Sequence, residues 1–110
     1  MATYIQIGER IDYKNATGTT IKAGDVVALG TNRIAVADCQ IEPGELGTLA
    51  LTGVWEFPAD NSAAIEFGAI AYWDTASKKM KATKSGSEIP AGICILKKES
   101  AGTVVRIRLQ

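Results

Sequence analysis

The side chains that could do chemistry in this chain are few, because it contains no histidine and only two cysteines. Histidine is the commonest general base and metal ligand, so a Ser-His-Asp or Cys-His site cannot form within the chain. Cys39 and Cys94 lie far apart and in no C-x-x-C pair, and two separated thiols do not supply the four clustered ligands of a zinc site. The residue types therefore predict no enzyme activity, no metal site and no cofactor.

Glu42 and Glu45 form the one closely spaced carboxylate pair that resembles an acid–base arrangement. They flank Pro43-Gly44, which is a turn signal, and carboxylates on a turn are ordinarily solvated. Cys94 lies inside an apolar run and is interpreted as a small buried hydrophobic residue.

The aromatic side chains are the other groups with functional potential. Trp55 and Trp73 are the largest apolar side chains, and two interpretations stay open: both anchor the core, or at least one lies at an interface. Tyr4, Tyr13 and Tyr72 are not grouped as an RNA-binding motif and have no basic groove around them in the sequence. No nucleic-acid partner is therefore predicted.

Charge is balanced over the chain but uneven along it. Twelve basic and twelve acidic residues cancel. Residues 38–74 carry seven acidic and no basic side chains, whereas residues 75–110 carry eight basic and two acidic ones. Either the two segments pair across a sheet within one chain, or faces of opposite sign meet between copies of the protein.

Five short turns containing glycine, each followed by an apolar run, organise the chain. A glycine tolerates a positive φ, which lets the chain reverse before a new strand. The five are Ala23-Gly24-Asp25, Pro43-Gly44-Glu45, Phe67-Gly68-Ala69, Ala91-Gly92-Ile93 and Ala101-Gly102-Thr103. They predict one all-β domain over residues 1–110, a small barrel or sandwich of short antiparallel strands, with at most one short helical turn near 60–66.

The alternation of apolar residues places the strands. Residues 3–7 read as a strand with Ile5 and Ile7 on one face, and residues 12–20 read as a polar loop. Hairpins are predicted from residues 26–37 and 69–83, with further strand segments at the positions that follow: 47–51, 54–57, 93–96 and 104–109. In the last strand Val105, Ile107 and Leu109 face one way, and Arg106 and Arg108 the other.

A series of short motifs extends over nearly the whole chain. In order, they are Gly8-x-x-Ile11-Asp12-Tyr13, Ala23-Gly24-Asp25-Val26-Val27, Ile41-x-Pro43-Gly44-Glu45-x-Gly47-x-Leu49-Ala50-Leu51-x-Gly53-Val54-x-Glu56-Phe57-Pro58, Gly68-Ala69-x-Ala71-Tyr72-Trp73-Asp74, Gly92 and Val105-Arg106-x-Arg108-Leu109. In this order and length the chain resembles a phage and prophage family that was formerly a domain of unknown function and is now described as capsid cement, or decoration, proteins. Residues 15–20 and 97–100 match poorly, as surface loops do.

The resemblance implies a structural protein that binds the outer surface of an assembled capsid, commonly as a homotrimer, and stabilises the head. Its partners would be the major capsid protein and further copies of itself, its location the virion. No membrane segment or targeting signal is evident, so synthesis in the bacterial host cytoplasm is expected. The possible partner-interface residues are Tyr4, Ile5 and Ile7, together with Trp55 and Trp73. Two interpretations of the N-terminal segment 2–7 stay open: it is a terminal strand that pairs in trans, or it closes its own barrel.

Two other functions remain as alternatives. One is another virion component on the same kind of fold, such as a tail, baseplate or head-fibre protein. The other is a small-ligand binding module, because the segment Ile21-x-Ala23-Gly24-Asp25-Val26-Val27 is similar to the opening of β-clip domains.

Overall fold

The computed structural model describes residues 2–3 and 9–109, and within them the chain forms nine strands and no helix. The strands are β1 (Arg10–Lys14), β2 (Val26–Leu29), β3 (Arg33–Ala37), β4 (Leu46–Ala50), β5 (Val54–Pro58), β6 (Ile70–Asp74), β7 (Lys79–Lys81), β8 (Ile89–Leu96) and β9 (Val104–Leu109). They build two antiparallel sheets, ordered β1-β4-β3-β2 and β5-β9-β8-β6-β7. The all-β prediction is confirmed, and of its two forms the structure is sandwich-like rather than a closed barrel.

The four-stranded sheet corrects one sequence prediction. Residues 12–14 belong to β1 and not to a polar loop, because Ile11 and Tyr13 pack against a hydrophobic cluster on one face of this sheet. The alternating polar side chains of β1 remain exposed. The predicted hairpin from 26 to 37 is confirmed as the β2–β3 pair, in which Val26 lies opposite Val36.

The five-stranded sheet follows the predicted hairpins closely. β6 pairs with β7, β8 pairs with β9, and the inward positions of β9 are those predicted. At 60–66 there is no helical turn. The Asp60 carboxylate instead accepts the Ser62 N–H at 2.8 Å, which makes a local turn, and Ile65 bridges to Lys98.

The core consists of two apolar clusters. The larger lies between the sheets and takes Ile34 and Val36 from β3 with the inward residues of the five-stranded sheet. The smaller covers the opposite face of the four-stranded sheet and includes Ala35 and Ala37. β3 is therefore buried on both faces, which explains its continuous apolar run from Ile34 to Ala37.

The glycines divide into two structural kinds. Gly24, Gly44 and Gly68 have φ between 82° and 91°, as the turn prediction requires. Gly92 does not open a strand as predicted. It lies inside β8, where a Cβ atom would meet the Arg108 carbonyl oxygen of β9 at 2.0 Å. Its function is therefore to let two strands approach closely, rather than to reverse the chain.

Side chains of the acidic segment form ion pairs with side chains of the basic segment within the single chain. Lys81 lies 3.0 Å from Asp74, and the Arg106–Glu56 and Lys97–Glu66 pairs are 3.6 and 3.8 Å apart. Each pair joins a residue of the acidic segment to one of the basic segment. The structure thus supports the first of the two interpretations, pairing within one chain.

Candidate functional site

The carboxylates of Glu42 and Glu45, the pair considered for catalysis, are held in hydrogen bonds of a surface turn. The Glu42 carboxylate accepts hydrogen bonds from the Thr20 hydroxyl at 2.9 Å and the Gln40 amide at 2.6 Å, and the Glu45 carboxylate accepts the Glu42 N–H. Both carboxylates therefore stabilise the surface turn that carries them. Among residues 2–3 and 9–109, no three Cys, Asp or Glu side chains gather to hold a metal ion.

The two cysteines are free thiols in different surroundings. Cys94 is buried in the larger cluster, and its Sγ lies 3.0 Å from the Leu96 carbonyl oxygen. Cys39 is half-buried, with its Sγ 4.0 Å from the Thr48 hydroxyl oxygen.

A small charge cluster links β6, β7 and the start of β8. Lys81 lies 3.0 Å from the Asp74 carboxylate and 3.9 Å from that of Glu88. The Lys81 ammonium group holds the pKa of Asp74 at about 2, with help from the Ser77 hydroxyl and the Ala76 N–H. Glu88 accepts the Gly86 N–H at 2.7 Å, and backbone hydrogen bonds lower its pKa as well.

Because of this cluster, the stability of the fold should decrease as the pH falls into the acidic range. Because the pKa of Asp74 is lower in the folded chain than the ordinary 3.8, its stabilising effect is complete above about pH 4 and is lost as pH falls toward 2. We expect the urea midpoint to decrease from pH 5 to pH 2. In Asp74→Asn that decrease should be smaller, whereas in Asp12→Asn, at an exposed position, it should match the wild type. An unchanged slope in Asp74→Asn would contradict this assignment.

The predicted interface residues fall into two groups. Tyr4, Ile5 and Ile7 lie outside the described residues. Trp73 is buried in the larger cluster with its ring centroid 6.1 Å from that of Phe57. Trp55 is half-buried, packs against the same cluster and donates its indole N–H to the Thr52 carbonyl oxygen at 3.1 Å. Both tryptophans thus contribute to the core, and a contact of either with a partner stays a prediction.

The exposed side of the five-stranded sheet, here called the outer face, is apolar where an alternating strand would ordinarily be polar. Five of the six large apolar side chains exposed in the described residues belong to it or to its adjoining turn, and each is 50–75% exposed. They are Val54, Phe67, Ile70, Leu96 and Val104. The sixth, Leu46, is 68% exposed and lies on β4 of the other sheet.

The strand register arranges these side chains in rows. One row runs across four strands as Val54, Arg108, Ile93 and Ile70. In the next row Arg106 lies between Glu56 and Leu96. The pairs Ile70–Ile93 and Ile65–Lys98 place Phe67 opposite Leu96. The outer face therefore carries apolar side chains on four strands, with Arg106 and Arg108 between them.

Sequence reasoning missed the outer face, although part of the signal was present. Val104 shares the alternating face of Arg106 and Arg108, and Phe67 is a large apolar residue in a turn. What the sequence did not give was the strand order, which brings residues from β5, β6, β8 and β9 into one patch.

A second surface feature is an open groove along β2, here called the edge groove. It has a volume of about 670 Å³ and lies between β2 and the end of β5. Val26 and the small exposed parts of the buried Phe57 and Trp73 supply its apolar wall. Threonines supply much of its rim: Thr17, Thr19, Thr20 and Thr75.

An apolar sheet face and an open groove on a small β-sandwich are surfaces of the kind that protein-binding domains present. Comparison with known protein families identifies the family of this chain. A family model described as phage cement protein matches residues 5–109, so the chain belongs to the phage cement protein family. This family is a structural, non-enzymatic kind, and membership makes the chain a capsid-associated protein of the virion.

Two further comparisons, with curated proteins and with solved structures, found no match. In the part of the chain that the structure describes, no helix is long and apolar enough to cross a membrane.

Proposed function

We propose that this protein is a non-enzymatic capsid cement protein that binds the outer surface of the phage head as a homotrimer and stabilises the head. The family match over residues 5–109 is the observation that carries the proposal. The protein is made in the host cytoplasm and then joins the capsid, where its partners are the major capsid protein and its own copies. Because many copies bind one lattice, modest single contacts add up to firm attachment.

The outer face is the surface we assign to capsid contact. It carries five of the six large apolar side chains that are exposed in the described residues, and such a concentration on one face is typical of a contact surface. Arg108, in the centre of one row, forms no ion pair with any carboxylate of residues 9–109. A capsid surface that offers apolar side chains around an acidic group would complement it.

Charged substitutions on the outer face should abolish capsid binding without unfolding the protein. We expect Leu96→Asp combined with Val104→Asp to reduce co-sedimentation with expanded heads at least tenfold, because each carboxylate would be desolvated at the contact. Leu46→Asp is the control, since Leu46 is at least as exposed as Leu96 and Val104 but lies on the other sheet. Equal loss of binding in both variants, or in neither, would contradict the assignment.

The homotrimer is tested by the mass in solution. Light scattering should give about 35 kDa, for three chains of 11.6 kDa. A strictly monomeric protein that also fails to sediment with expanded heads would overturn the proposal.

A further inference from the structure

The two sheets of the described residues have four edge strands, and three of them are protected against pairing. Edge strands expose unpaired N–H and C=O groups, and proteins usually blunt them with charged residues or proline. β1 and β7 carry charged side chains, and β5 carries Glu56 and Pro58. β2 reads Val-Val-Ala-Leu and has neither kind of protection.

The hydrogen-bond pattern between β2 and β3 shows which backbone groups of β2 are unpaired. The Ala37 N–H donates to the Asp25 carbonyl oxygen at 2.9 Å, so residues 25 and 37 form a hydrogen-bonded pair. Hydrogen-bonded pairs alternate in an antiparallel ladder, so Val27 also bonds to β3. The N–H and C=O groups of Val26 and Ala28 therefore point away from β3, along the edge groove.

The edge groove has the form that an added strand needs. It runs beside Val26, Val27 and Ala28, and its apolar wall includes Phe57 and Trp73. An added strand would gain main-chain hydrogen bonds from β2, and every second side chain would pack on that wall.

We propose that residues 3–7 of a second copy bind in the edge groove as an added strand on β2. The segment reads Thr-Tyr-Ile-Gln-Ile, with β-favouring residues and with the polar Gln6 between Ile5 and Ile7. Ile5 and Ile7 face the apolar wall, and Gln6 faces the opposite side. The proposal gives the predicted interface residues Ile5, Ile7 and Trp73 a common site.

The reach of the chain requires the segment to come from another copy. The Glu9 carbonyl oxygen accepts the Leu51 N–H, which fixes residue 9 at the β1 edge of the sheet. A strand added to β2 would lie four strand spacings from β1, about 19 Å. Even the four residues from Ile5 to Glu9 span at most about 14 Å. The chain therefore cannot place its own residues 5–7 on its own β2.

Such a contact is heterologous, because the N-terminal segment of one copy meets β2 of the next. Heterologous contacts close into rings when the rotation between copies allows it, and a trimer is one such ring. The inference rests on the self-association in the proposed function and is independent of which surface contacts the capsid.

Disulfide trapping tests the pairing directly. In a Cys39→Ser background, the double variant Ile5→Cys with Ala28→Cys should form covalent oligomers on a non-reducing gel after mild oxidation, because paired strands bring Cα atoms within disulfide range. Placing the first cysteine instead at positions 3, 4, 6 or 7 scans the register, and Cys94 stays buried. Covalent oligomers at one or more positions support the proposal. Only internal disulfides, or no disulfide at any position, would overturn it.

Blocking the edge gives a second measurement. Ala28→Pro removes an outward N–H and should lower the solution mass from that of the oligomer to that of one chain. Asp12→Pro makes the same change at the outward edge of β1, where Asp12 is exposed, and should leave the mass unchanged. Melting curves identify a variant that fails to fold, in which case the trapping result decides. A folded Ala28→Pro protein that keeps its oligomer and its capsid binding would overturn this inference and leave the proposed function intact.

Discussion

Replacement of Gly92 by alanine is expected to destroy the fold or to cost at least about 3 kcal/mol of unfolding free energy. An added Cβ would lie 2.0 Å from the Arg108 carbonyl oxygen and 2.9 Å from its carbonyl carbon. These are backbone atoms of the neighbouring strand β9, so no side-chain rotation relieves the overlap. The variant would have to separate β8 from β9, at the centre of the five-stranded sheet.

Urea denaturation followed by tryptophan fluorescence measures this loss. Gly86→Ala is the matched control, because a Cβ at Gly86 has the Glu88 carboxylate oxygen as its nearest neighbour, at 3.6 Å, an ordinary contact. We expect its midpoint to stay near that of the wild type. A soluble Gly92→Ala protein with the wild-type midpoint would show that β8 and β9 do not approach as described.

Replacement of Asn15 by alanine is expected to cost about 2–4 kcal/mol, since each buried polar group left unpaired costs about 1–3 kcal/mol. The fully buried Asn15 side chain donates to the carbonyl oxygens of Thr19 and Ile41, at 2.6 and 2.9 Å, and accepts the Thr17 N–H. Its own backbone bonds to Glu45 and Gly44. One side chain thus joins two loops beside the edge groove.

The isosteric variant Asn15→Asp keeps the packing but changes the hydrogen bonds and adds a buried charge. It keeps the shape but replaces two N–H donors with an oxygen that faces two carbonyl oxygens, so it should be at least as destabilised at pH 7. Asn61→Ala, at an exposed turn, is the control and should change stability by less than about 0.5 kcal/mol. If thermal unfolding gives Asn15→Ala and Asn61→Ala the same midpoint, Asn15 does not join the loops.

Much of the fold could be predicted from the sequence because apolar and polar residues alternate regularly along most strands. Val105, Ile107 and Leu109 gave the inward face of β9, and the lysines of β7 marked it as a protected edge strand. Alternation is a local property, so it survives without knowledge of neighbouring strands. It failed at β1, where only Ile11 and Tyr13 carry the apolar pattern among charged residues.

The candidate surfaces could not be predicted because they depend on non-local pairing. The outer face joins Val54, Ile70 and Leu96 from three strands, and the edge groove joins Val26 to Phe57 across two sheets. Gly92 likewise lies in a sequence that is typical of a turn. Only the close approach of β9 shows why glycine is needed at this position. The residues around Asn15 predicted a polar turn, and nothing in them indicated that its side chain is buried.

Cryo-electron microscopy of expanded phage heads incubated with the purified protein tests the capsid-binding function most directly. We expect density for three copies at each three-fold and quasi-three-fold position of the outer surface, with the apolar outer face against the major capsid protein. Heads with a bare lattice, obtained while the folded protein remains in the supernatant, would contradict the proposed function.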